Sequence, residues 1–181
     1  MVQIVTDTTL NMGFLTFLHE ATGYVGGYRV TNARGRPLEF RLSTAVQPNR
    51  VQQILYGRTM HAYIYADLIG KALVDKASAS VQLILTDCLP ALDIRLSLNV
   101  PVVWLSSPEE SPETQTHSQL PKMRDAVAEK RPILCHPRYS DDAATIRAAL
   151  DRLDGKIDLT EPFTRIRDAI GEARKMGIVN G

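Results

Sequence analysis

Two cysteines, Cys88 and Cys135, are all that 181 residues contain. That is too few for a disulfide-stapled scaffold and suits a reducing cytoplasm. No apolar run approaches the length of a membrane span. Met1 leads into Val-Gln-Ile-Val rather than into a basic stretch and an apolar core, so neither a transmembrane helix nor a signal peptide is expected. Excess charge is missing as well. Lys plus Arg number 21 against 20 Asp plus Glu, a net charge of +1, which gives no global reason to expect a membrane surface or nucleic acid as partner. Complete catalytic signatures are also lacking. There is no G-x-G-x-x-G or Walker pattern, no G-x-S-x-G, no H-E-x-x-H and no kinase set. Zinc is usually announced by paired ligands such as C-x-x-C, and none occur. No cofactor and no metal is therefore expected, and no repeat at a solenoid period is found.

What is present reads as a globular chain. Hydrophobic residues make up 44% and charged residues 23%, which fits a single domain over residues 1–181. One segment differs. Residues 106–121 carry three prolines and three glutamates with no Lys or Arg, and read as an exposed acidic loop separating 1–105 from 122–181.

The first part opens with strand text. Phe14 to Leu18 is short and apolar, and Tyr24 to Thr31 and Pro37 to Thr44 alternate with period two. Asn32 to Arg36 would close a hairpin with Gly35 in a left-handed conformation. Gly26 and Gly27, inside a strand pattern, mark a bulge or a close backbone approach. Asn49 and Gln52 have the spacing of a capping box, for a short helix ending at Gly57. A second helix is expected from about Met60 to Ala77, with Gly70 weakening it. Val81 to Thr86, Val100 to Leu105 and Pro132 to Cys135 are short β-branched runs that suggest parallel neighbours, with a short helix or turn from Pro90 to Leu98. Lys122 to Lys130 reads as a helix. Ser140 and Thr160 would cap two C-terminal helices, the last striped by Phe163, Ile166, Ile170 and Ala173. The expected fold is α+β (mixed α/β): an N-terminal antiparallel hairpin or meander, then helices and a small, mainly parallel sheet, with two C-terminal helices.

Two groups of residues could carry function. If the three apolar runs are parallel, their carboxyl ends share one edge of the sheet, where open α/β sheets bind ligands. Asp87, Cys88, Cys135 and His136 would then meet there, a thiol nucleophile with an imidazole base and a carboxylate to orient it. The plainer reading is that small free cysteines fill core space. The second group is the hairpin arginines, Arg29, Arg34, Arg36 and Arg41. Alternation places Tyr28 and Phe40 on the opposite face, so the arginines read as a solvated face or a docking surface rather than a nucleic-acid strand.

The leading expectation is a non-enzymatic cytoplasmic protein that binds a protein partner as an accessory or regulatory subunit of a larger assembly, with a homo-oligomer possible, nucleic acid disfavoured and no membrane. The alternatives are a small hydrolase or acyl-transfer enzyme using the Cys/His/Asp group, and a small-ligand or nucleotide sensor at the same edge.

Overall fold

The computed structural model describes residues 9–106, 122–124 and 132–178. The chain is mixed α+β. Three antiparallel strands come first: β1 (Asn11–Glu20), β2 (Gly23–Asn32) and β3 (Pro37–Leu42). β4 (Leu83–Thr86) and β5 (Val102–Leu105) follow, with β6 (Lys122–Arg124) and β7 (Pro132–Cys135) last. They form one sheet in the order β3-β2-β1-β4-β5-β7-β6. β1 pairs parallel with β4, and β4 parallel with β5. The sheet is therefore continuous through residues on both sides of the 106–121 segment.

The meander forms where the alternation places it. Gly35 has a φ of +78° in the turn, and the Asn32 side chain accepts the N–H groups of Arg34 and Arg36. The ten-residue strands β1 and β2 form the centre on which helices pack from both sides. α1 (Arg50–Tyr56) carries the capping box: Asn49 Oδ1 accepts from Gln52 N at 2.8 Å, and Gln52 Oε1 accepts from Asn49 N at 2.9 Å. A continuous helical stretch then runs through α2 (Met60–Ala62), a π-wound segment (Tyr63–Gly70) and α3 (Lys71–Lys76). It covers one face with Ile64, Ala66, Ile69 and Leu73. The 3-10 segment Leu89–Ser97 shares that face. α4 (Asp142–Leu150) and α5 (Glu161–Lys175) cover the other, through Ile146, Leu150, Phe163, Ile166 and Ile170.

The glycine pair in β2 explains how both layers come so close. A Cβ on Gly26 would sit 2.4 Å from Ile69, and one on Gly27 would sit 2.3 Å from Ile166. Neighbouring strand residues face opposite sides, so two adjacent glycines admit one helical element on each face. This is the close-approach alternative, not a bulge at that position.

Three expectations are corrected. The run Pro132 to Cys135 is a strand, but it pairs antiparallel with β5. A third parallel strand would need a crossover returning the chain to the far end of the sheet. β7 instead lies between β5 and β6 and pairs antiparallel with both. Residues 122–124 are strand where a helix was expected; the rest of that helix, and the loop beyond Ser106, lie outside the described residues. At the C-terminal helices the capping also differs. Asp141 stands at the N-cap of α4 rather than Ser140, and Thr160 makes no side-chain cap; its N–H and hydroxyl both donate to Asp158. Among the described residues, no helix is long and apolar enough to cross a membrane.

Candidate functional site

The antiparallel course of β7 separates the residues that the sequence grouped. Thr86 pairs with Trp104, so Asp87 lies level with the carboxyl end of β5. Cys135 pairs with Val103 in the opposite direction, so His136 leaves the sheet beside the start of β5. The two are offset by three residues, about 10 Å along the strands, and by two strand spacings of about 4.8 Å each. A Cys88–His136 pair and an Asp87–His136 pair are both out of reach.

At the carboxyl end, Asp87 follows β4 and its side chain is only 9% exposed. It is ion-paired with Arg167, which α5 projects over that edge. The Cys88 backbone N–H donates to Thr86 Oγ1 at 3.2 Å, and the thiol donates to Asp87 Oδ1 at 3.5 Å. Burial, and after it the Asp87 carboxylate, push the Cys88 thiol far up. The thiolate is the nucleophilic form, so this environment disfavours nucleophilic chemistry. Glu20, at the end of β1, is paired with Arg174 of the same helix.

At the opposite end, Cys135 is fully buried in the α4–α5 layer, and burial followed by Asp142 raises its thiol. His136 is buried; its Nδ1 accepts the Arg138 N–H at 3.2 Å, and its Nε2 lies 3.3 Å from Asp93 Oδ1. With Nδ1 accepting, the ring proton belongs on Nε2, facing Asp93. Beside it, Arg95 pairs with Asp142 at 2.6 Å, donates to Leu98 O at 2.6 Å and lies 3.7 Å over the Tyr139 ring. These groups tie the 3-10 segment to α4.

The hairpin register also rearranges the arginines. Arg29 pairs with Phe40 and Arg41 with Tyr28, so the two arginines lie on opposite faces. Arg29 is buried, contrary to the solvated face expected. Arg41 binds Glu39, whose carboxylate also accepts the Ser78 and Ala79 N–H groups. Arg34 and Arg36 are exposed in the turn.

A further feature was missed in the sequence. A cavity of about 620 Å³ opens between the β1–β2 turn and the segment leading into α1. His19, Glu20, Tyr24, Gln47, Asn49 and Gln53 line it. Tyr24 and Val46 exchange backbone hydrogen bonds of 2.8 Å, which hold its two walls together. The exposed His19 ring stacks on the buried Tyr24 ring at 3.8 Å and 4°. His61 and Tyr65 extend this aromatic group beneath it. Residues 40–66 contain no Asp or Glu but hold Arg41, Arg50 and Arg58, the last two exposed. That acid-free stretch was legible; the stacking was not, because His19 and Tyr24 meet only through strand pairing. Among the described residues, no three His, Cys, Asp or Glu side chains group to hold a metal ion.

No protein-family model matches the chain, and no curated protein matches it. Solved structures do. The endonuclease V of Bacillus subtilis is 12% identical, with a TM-score of 0.50 over 92% of this chain and 83% of that one. The Ciona intestinalis endonuclease V, in complex with an inosine-containing DNA, is also 12% identical, with a TM-score of 0.43 over 94% of this chain and 88% of that one. The Bacillus likeness shows a shared fold, and that fold is one an endonuclease uses. It overturns the expectation of a non-enzymatic, protein-binding accessory subunit and the expectation that nucleic acid is disfavoured as a partner.

Proposed function

We propose that this protein acts on nucleic acid and receives an unstacked base in the cavity beside His19 and Tyr24. The observation that carries this reading is the exposed His19 ring, stacked on Tyr24 at the mouth of a cavity that an acid-free, arginine-bearing segment borders. Each base offers a π-face, and stacking on an aromatic side chain is worth about 1–3 kcal/mol. The amides of Gln47, Asn49 and Gln53 provide donors and acceptors for a base edge. Arg50 and Arg58 flank α1, where Val51, Ile54 and Leu55 are exposed, so charge for phosphates lies beside apolar side chains for unpaired bases. Glu20 does not oppose this charge, because Arg174 neutralises it. The fold shared with an endonuclease supports the same substrate class.

Asp87 is the buried carboxylate of the neighbouring strand end, held by Arg167. Metal-assisted phosphodiester cleavage needs converging ligands. Among the described residues, no three His, Cys, Asp or Glu side chains converge in this way. The two free cysteines fit a reducing compartment, and we place the protein in the cytoplasm.

Fluorescence anisotropy with labelled single-stranded and fully paired oligonucleotides at two salt concentrations tests the reading. Tighter binding of the single strand is expected. His19→Ala should weaken it about tenfold with the salt slope unchanged, the lower range of one stacking contact. Replacing Arg50 and Arg58 by Ala should flatten the slope. Absence of binding at low salt, or equal affinity of all three proteins, would sink the proposal.

A further inference from the structure

Arg29 is 9% exposed and its Nη1 has no hydrogen-bond partner among the described residues. Two residues further along the same side of β2, Thr31 is buried and its Oγ1 also lacks a partner. Both face the α5 layer, as does Gly27, against which Ile166 packs. The register sets Arg29 between Phe14 of β1 and Phe40 of β3. Phe14 meets Phe163, in the first turn of α5, edge-on at 5.6 Å. Phe40 is 42% exposed, so the β3 side of this pair opens to solvent.

Two acids at the start of α5 have partners of their own. Glu161 binds Arg165, and Asp158 accepts from Thr160. Guanidinium groups keep their charge inside proteins, and burying one without a counter-charge is costly. Native structures resolve that cost by pairing the group. Here a guanidinium nitrogen and a hydroxyl, both buried and two residues apart along one side of β2, have no hydrogen-bond partner among the described residues.

We infer that Arg29 and Thr31 form an oxyanion site that takes a phosphate or carboxylate group entering past Phe40. The guanidinium fork supplies charge-assisted donors and the Thr31 hydroxyl a further one. The site lies on the opposite face of the sheet from the His19–Tyr24 cavity, so it does not depend on the nucleic-acid reading.

The test is thermal unfolding of the full chain titrated with inorganic phosphate, against sodium chloride at matched ionic strength. The wild type should show a saturable rise in Tm, the mark of a ligand bound to the native state. Arg29→Met should lose that response and Thr31→Val should weaken it roughly tenfold in apparent affinity. In chloride alone, Arg29→Met should melt at or above the wild type, because it removes a buried charge that nothing balances. Acetate in place of phosphate separates a carboxylate from a phosphoryl ligand. Repeating the titration with a saturating oligonucleotide separates a free anion, whose effect persists, from a nucleic-acid phosphate, whose effect is abolished. Four results would overturn the site: no response to either anion, the same response in wild type and Arg29→Met, no weakening by Thr31→Val, or Arg29→Met melting lower or failing to fold in chloride. The last would mean that Arg29 is balanced within the chain.

Discussion

The two ends of the sheet use similar residues to opposite effect. Each has a cysteine, an aspartate and an arginine. At the end near α4, Arg95 and Asp142 are 11% and 13% exposed, Tyr139 lies under the guanidinium, and His136 closes on Asp93. That end is a brace. At the end where β1, β4 and β5 finish, Arg167 is 37% exposed, Glu20 is half exposed, and a cavity opens beside an exposed imidazole. Residue type does not distinguish the two ends. The accessibility of the partner does.

Three experiments can break or sharpen that contrast, and a fourth tests a carboxylate outside it. The largest effect is expected from Asp142→Asn. It strands the Arg95 charge, and removing one member of a buried pair costs about 3–5 kcal/mol. Chemical denaturation should show that loss; a change under about 1 kcal/mol would deny the brace. Asp87→Asn removes the counter-charge of a half-exposed arginine and should cost only about 1 kcal/mol, in the range of surface pairs. If it costs as much as Asp142→Asn, the two ends do not differ.

Cysteine alkylation with mass-spectrometric assignment compares the ends directly. Burial raises both thiols, so neither should react at pH 8 until the protein unfolds. A fast native reaction at Cys88 would restore thiol chemistry at the open end.

The smallest effect concerns Glu39, which belongs to neither end. The Ala79 and Ser78 N–H groups, with Arg41, hold its carboxyl below the usual range. A depressed carboxylate contributes stability above its unfolded pKa and loses it as pH falls through the lower folded value. The stability difference between wild type and Glu39→Gln should therefore be full near neutrality and shrink as pH drops below about 4.3, the usual glutamate value. A difference that stays constant with pH would remove the carboxylate from this role.

Much of the fold was legible because its signals are local. Alternation marked β2 and β3, and the three-four spacing of Phe163, Ile166, Ile170 and Ala173 marked the buried side of α5. The Asn49–Gln52 box and the left-handed Gly35 lie within one turn of chain and formed as expected. The Gly26–Gly27 pair left a bulge and a close approach open, and only the helical elements packed on it decided for the latter. The candidate site was far less legible. Asp87 was flagged, but its partner Arg167 lies 80 residues away on a helix whose polar positions look alike in sequence.

The sequence by itself determined the periods, the Asn49–Gln52 capping box and the Gly35 turn, because each depends on residues a few positions apart. Only the tertiary structure decided the direction of β7 and the hairpin register. The first separated Cys135 and His136 from Asp87 and the second set Arg29 opposite Phe40, while the pairing of β1 with β2 stacked His19 on Tyr24. The physical reason is that strand pairing is set by the burial of whole faces against distant helices, and a short apolar run satisfies that demand in either direction.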